Sequence, residues 1–195
     1  MPTYVALLRA VNVGRRQTPM ARVRAALEDA GFSDVQTYIQ TGNVLLRSAA
    51  RSPEKVATRV REVLSGEFGF DIPTIVRVPH ELVELVAAVD SLPNPFPQGR
   101  TYAAFLDVEP SAAAVAVLND WPAPGEWVRV VGRHVVMRLG VSAAQATLTN
   151  AKIERHGVVA TTRDLTVVRA LATRWGGRDR VARRRSRRPP LRPTR

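Results

Sequence analysis

The sequence predicts an α+β protein of two similar halves, each a ferredoxin-like β-α-β-β-α-β unit, packed together and followed by a disordered arginine-rich tail. Three observations lead there. Apolar runs and helix signals between Tyr4 and Val78 fall in the order strand, helix, strand, strand, helix, strand. The same order restarts beyond a proline-rich joint. Nine arginines and one acid then crowd residues 178–195.

Tyr4–Ala10 is an apolar run of strand length. Thr18-Pro19 reads as a helix start, a capping hydroxyl followed by proline at the first helical position. Met20, Val23, Leu27 and Ala30 share one face of that helix, and Gly31 stops it. Val35–Ile39 and Val44–Arg47 form two strands around Gln40-Thr41-Gly42-Asn43. Ser52-Pro53-Glu54 opens a second helix carrying Val56, Val60, Val63 and Leu64, with Gly66 near its end. Pro73–Val78 completes the first unit as a strand, and Pro79–Val89 adds a short helix.

The joint Ser91–Gly99 holds Pro93, Pro95 and Pro97 and cannot continue a helix or a central strand. After it come strand Tyr102–Asp107, helix Ser111–Asn119, strand Trp127–Val131, turn Gly132-Arg133 and strand His134–Leu139. A helix over Ala143–Arg155, a short strand Val158–Ala160 and a final helix to Trp175, capped by Thr162 or Asp164, complete the second half. The expected organisation is therefore a first unit over 1–90, a linker over 91–100, a second unit with its terminal helix over 101–177, and a tail over 178–195. Several strands are apolar at consecutive positions: Val5-Ala6-Leu7-Leu8, Val44-Leu45-Leu46 and Val135-Val136-Met137. A sheet with one wet face would alternate instead. Each sheet should thus have both faces covered, by the other half of the chain or by a second copy, so monomer and homodimer both stay open.

Composition narrows the function. No cysteine is present, which removes disulfides, zinc–thiolate sites and cysteine nucleophiles and fits a reducing compartment. The sequence has no signal-peptide pattern and no apolar run of membrane-spanning length, so a cytoplasmic protein with no membrane partner is expected. Of the net charge of +12, eight units belong to residues 178–195. That tail has only Val181 and Leu191 as large apolar residues and cannot offset the entropy of folding. It could hold nucleic acid weakly and without sequence preference through counterion release, although a solvated terminal run is the simpler reading.

Phosphate-loop, dinucleotide-binding and nucleophile-elbow motifs are missing. His80, His134 and His156 lack metal-ligand spacing, and no cofactor or metal is expected. Gly66-Glu67-Phe68-Gly69 matches a KH loop in letters, but its place after a helix makes it a stop signal. RNA-recognition motifs share this fold and stack bases on aromatics of the first and third strands. Tyr4 alone stands there, so that mode of binding is disfavoured.

Topology gathers one polar cluster. The first strand ends at the edge where the second and third are joined, so Arg9, Asn12 and Gly14 should face Gln40, Thr41, Gly42 and Asn43 beside a helix N-terminus. Donors, glycines and a positive helix end outline an anion site. Turn and loop geometry would account for the same residues, and Glu28 or Asp34 could claim Arg9 as an ion-pair partner. In the second half, Asn150 interrupts a helical pattern, and Arg163 precedes the last helix.

These residues also carry a resemblance. Tyr4 to Gly14, Pro19-Met20, Gly31-Phe32, Thr37-Tyr38-Ile39-Gln40-Thr41-Gly42-Asn43, Asn94-Pro95-Phe96, Leu148-Thr149-Asn150 and Ala160-Thr161-Thr162-Arg163 resemble the bacterial family known as domain of unknown function 1697, from Tyr4 to about Trp175. The resemblance implies a two-unit ferredoxin-like fold and no assigned activity. Ala10 and Arg15 stand where that family usually has glycine, and Asp164-Leu165 where it more often has Asn-Trp. Three functions remain open. The first is a binding protein for a small anionic or phosphorylated ligand at the first rim, using Arg9, Asn12, Gly14, Gln40, Thr41, Gly42, Asn43, Asn150 and Arg163. The second is a cofactor-independent enzyme on an anionic substrate, for which no general base is evident. The third is a nucleic-acid-associated protein acting through its tail.

Overall fold

In the computed structural model, which describes residues 1–12, 14 and 17–177, eight strands and six helices follow one another along the chain. The first half contains β1 (Thr3–Leu8), α1 (Met20–Asp29), β2 (Ser33–Tyr38), β3 (Asn43–Arg47), α2 (Pro53–Phe68), β4 (Thr74–Arg77) and α3 (Pro79–Ser91). The second contains β5 (Arg100–Leu106), α4 (Ala112–Asn119), β6 (Glu126–Val131), β7 (His134–Leu139), α5 (Asn150–Glu154), β8 (Ala160–Asp164) and α6 (Leu165–Trp175). Each half builds a four-stranded antiparallel sheet, in the orders β2-β3-β1-β4 and β6-β7-β5-β8. The two orders are the same when the strands of each half are counted from one. The arginine-rich tail expected to be disordered lies outside the described residues.

The unbroken apolar strands divide their side chains between two cores. On β1, Tyr4, Ala6 and Leu8 pack with Met20, Val23 and Leu27 of α1 and Val56, Val60 and Leu64 of α2. Val5 and Leu7 turn the other way, into a central core. There they meet Ala103 and Phe105 of β5, Val136 of β7, Leu82, Leu85 and Val89 of α3, and Val168, Leu171 and Trp175 of α6. A third core lies outside the second sheet, around Ala104, Leu106, Leu118, Val135, Met137 and Ile153. Both sheets are therefore wetted on neither face. At about 1.5–3 kcal/mol for each large buried side chain, the central core is what holds the halves together.

Local chemistry sets several boundaries differently from the sequence pattern. The first helix begins at Met20 without a side-chain cap: the Thr18 hydroxyl is buried and makes no hydrogen bond. Asn12 instead fixes the approach to the helix, its Oδ1 accepting from the Thr18 amide at 2.7 Å. Helix α2 runs through Gly66 and ends at Gly69, a left-handed C-cap with φ 73°. The helix expected over Ala143–Arg155 forms only at Asn150–Glu154. Glu126 prevents the longer helix, because its carboxylate accepts from the amides of Thr147 and Leu148 and from the Trp121 indole. Thr149 then caps the short helix through the Lys152 amide, so Asn150 opens this helix rather than interrupting or ending it. The last strand is Ala160–Asp164, which begins where the expected Val158–Ala160 ends, and Asp164 caps α6.

Candidate ligand-binding site

The rim of the first sheet assembles, but it satisfies itself. Asn12, held at φ 55°, donates to the carbonyls of Gln40 and Thr18. Asn43 is fully buried and donates to the Tyr38 carbonyl and the Thr41 hydroxyl. Gly42 is buried at φ 75°, and a Cβ there would lie 2.6 Å from Val11, so only glycine fits. Gln40, Thr41 and Gly14 are exposed. Arg9 pairs with neither Glu28 nor Asp34: its guanidinium bonds Glu154 of the second half at 2.7 Å. Asn150 accepts from the Thr162 hydroxyl at 2.6 Å. Arg163 is interior, so it cannot serve as a surface anion clamp. A hollow of about 250 Å³ lies beside Arg9, Ala10, Asp71 and Pro73.

Arg163 belongs instead to a device that occurs twice. From β8 it crosses to the first half and uses all five guanidinium N–H groups. Nε donates to Asn43 Oδ1 at 2.7 Å. Nη2 donates to the carbonyls of Leu8 and Gly42. Nη1 donates to the Thr161 hydroxyl and the Thr162 carbonyl, both at 2.9 Å. Arg77 of β4 returns the contact to the second half. Its Nε donates to His134 Nε2 at 3.3 Å, and its Nη2 to the carbonyls of Leu106 and Arg133. Its Nη1 donates to the Val76 carbonyl. Leu8 therefore corresponds to Leu106, Gly42 to Arg133, Asn43 to His134, and Arg163 to Arg77. Burial pulls both guanidinium groups down to about 10, with the Arg133 charge adding to the effect at Arg77; both stay charged at neutral pH. Burial, and then the Arg77 charge, push His134 down to about 3, so its imidazole is neutral. Its Nδ1 lies 3.2 Å from the Val131 carbonyl and carries the proton, leaving Nε2 to accept.

The two ends differ beside the arginines. Arg9 N donates to the Pro73 carbonyl, and Asp107 N to the Val159 carbonyl, so Arg9 corresponds to Asp107. Counted from their caps Ser52 and Thr149, α2 places Ala57 where α5 places Glu154. The Arg9–Glu154 bridge thus becomes Asp107 and Ala57, and both of these residues line a cavity of about 230 Å³. Ile75 stands in the place of Thr161 and lines the same cavity. It offers no oxygen, so one N–H of the buried Arg77 Nη1 has no acceptor among the described residues. Arg133, where the other end has Gly42, also borders the cavity and donates to Glu81 at 2.9 Å. Glu54 and Arg61 complete its polar wall. The Ser52 hydroxyl, followed by the Glu54 backbone amide, holds the Glu54 carboxyl below its ordinary range.

Sequence reasoning missed Arg77, Asp107, Arg133 and Glu154. The signal for Arg77 was an arginine inside an otherwise apolar strand, Ile75-Val76-Arg77-Val78. Among the described residues no group of three or more acidic, histidine or cysteine side chains could hold a metal, and no helix is long and apolar enough to cross a membrane.

The model of the family described as "Protein of unknown function (DUF1697)" matches residues 1–135. No curated protein matches the chain. The structure is similar to that of a conserved bacterial protein from Streptococcus pneumoniae, with a TM-score of 0.71 and 17% identity over 90% of this chain and 98% of that one. At that identity the likeness concerns the fold.

Proposed function

We propose that this chain, which belongs to the DUF1697 family, is a binding protein for a small anionic ligand held in the cleft between its halves. Each half is read as a ferredoxin-like unit, and the cleft opens where the fourth strand of the first meets the second. The observation that carries the proposal is the Arg77 Nη1 N–H that lacks an acceptor beside a 230 Å³ cavity. Leaving a buried donor unpaired costs about 1–3 kcal/mol, more for a charged group, and a ligand oxygen would recover it. Arg133 borders the same space and supplies a second cationic donor for a carboxylate or phosphate. The rim around Arg9 is a weaker place for such a ligand, because Arg163 behind it already has all five N–H groups paired. Asp107 and Glu54 also line the cleft, but no paired nucleophile and base stand there, which favours binding over catalysis.

Thermal melting of the full chain with inorganic phosphate, nucleotides, sugar phosphates and organic acids tests this reading. At least one anion should raise the Tm with concentration, by the linkage of binding to the native state. Ala57→Glu places the carboxylate of the other end in this cleft, and it should abolish the rise in a chain that still unfolds cooperatively. A rise that persists in Ala57→Glu, or no rise with any of these anions, overturns the proposal.

A further inference from the structure

The bridged end of the interface also indicates what else the ligand carries. There, a cation from the first half (Arg9) and an anion from the second (Glu154) lie against each other at 2.7 Å. At the open end the corresponding residues are an acid and an alanine, so the wall presents a carboxylate and the cation is missing. Asp107 Oδ1 accepts from the amides of Val108 and Val159 at 2.9 and 2.7 Å, which fixes the side chain in place. Its Oδ2 accepts no hydrogen bond from the described residues, and Asp107 is exposed and borders the cavity. The opposite charge has been added across the cleft, since Arg133 replaces Gly42. The open end is thus a cavity with an anchored carboxylate on one wall and guanidinium donors on another.

A simple anion would satisfy Arg77 and Arg133, but the charges of Asp107 and Glu54 beside it would weaken its binding. A simple cation would meet the reverse difficulty. Building on the anion-binding reading above, we infer that the ligand of this cleft is a small zwitterion of the α-amino-acid class, its carboxylate on Arg77 and Arg133 and its ammonium group on Asp107. Such a molecule replaces, as one unit, the two side-chain charges that the other end carries as Arg9 and Glu154. A cavity of about 230 Å³ is below the range of drug-sized pockets and suits a ligand of this size.

The experiment is calorimetric titration of the full chain with the free L-α-amino acids. Each is compared with its 2-hydroxy acid, which keeps the carboxylate but lacks the ammonium, and with its decarboxylated amine. At least one amino acid should bind ten-fold or more tightly than both of its analogues. Asp107→Asn keeps the Oδ1 acceptor that anchors the loop, and it should erase the preference of amino acid over hydroxy acid while Arg133-dependent binding of the hydroxy acid remains. Equal binding of amino acid and hydroxy acid overturns this inference and leaves the anion reading standing. Binding of the amine alone, or of nothing, overturns both. An amino-acid preference that survives in Asp107→Asn places the ammonium elsewhere and also overturns the inference.

Discussion

At one end of the interface between the halves Arg9 and Glu154 bridge the gap; at the other, Asp107 and Ala57 stand in the same two places and leave a cavity. The framework behind these residues is shared. A buried arginine from each fourth strand reaches the carbonyls that close the opposite first strand and hairpin, and its Nε finds a polar side chain at the start of the third strand. The comparison separates two demands on one geometry. The arginines carry the joint, and the residues in front of them are at liberty to bridge it or to open it.

The largest expected effect concerns the shared part. Arg163→Ala removes five hydrogen bonds from a buried site, and Arg77→Ala removes four. With two or more buried carbonyls left short of a donor, each should cost about 3–5 kcal/mol. Urea unfolding of the two variants measures this, with the lysine variants as milder forms that retain the charge. Losses that differ by more than about 2 kcal/mol would break the equivalence of the ends. A second effect is confined to the open end, where His134 takes the place of Asn43. With its folded pKa near 3 against 6.5 unfolded, the unfolded chain binds the extra proton first. This contribution is complete above about pH 6.5 and is lost as the pH falls toward 3, by a few kcal/mol at most. His134→Asn copies the bridged end and should flatten that part of the stability–pH curve; a curve of unchanged slope would remove His134 from the account. The smallest effect lies in the loop beside the bridge. Ala10 sits at φ 55°, where a side chain costs about 1–2 kcal/mol. Ala10→Gly recovers that cost less the entropy that glycine gains in the unfolded chain, a net gain of about 0.5–1 kcal/mol and about 2 °C in Tm. Val108, its counterpart, is not among the left-handed residues, and Val108→Gly should destabilise. Stabilisation by both would show that the two loops are not distinguished by strain.

The sheets and their double burial were legible because burial on two faces leaves a trace: Val5 and Leu7 serve one core, Ala6 and Leu8 another, and the run has no polar break. The helix ahead of Asn150 was misread because the carboxylate that captures its amides, Glu126, lies some twenty positions upstream. Arg163 read as a ligand group for a related reason. A buried guanidinium paired with carbonyls, one hydroxyl and one amide has no acidic partner in the sequence, so nothing marks it as structural. Asn12 reaches the Gln40 carbonyl across the rim, yet a hydrogen-bonding inventory cannot say whether the donors face a ligand or each other. The open cleft was invisible because it is defined by what is lacking: a hydroxyl at Ile75, an acid at Ala57, a cation at Asp107.

The exchanged arginines also impose a timetable on the nascent chain. Arg77 leaves the ribosome 57 residues ahead of His134, while the carbonyl of Leu8 waits 155 residues for Arg163. Until then each half emerges with the end of its own sheet uncovered and with the piece that covers it belonging to the other. The first half can collapse early, but its edge is finished only when β8 arrives. Synthesis and assembly are therefore coupled in one direction, and a ribosome that stalls before residue 163 leaves the earlier half with a polar edge exposed to whatever else is nearby.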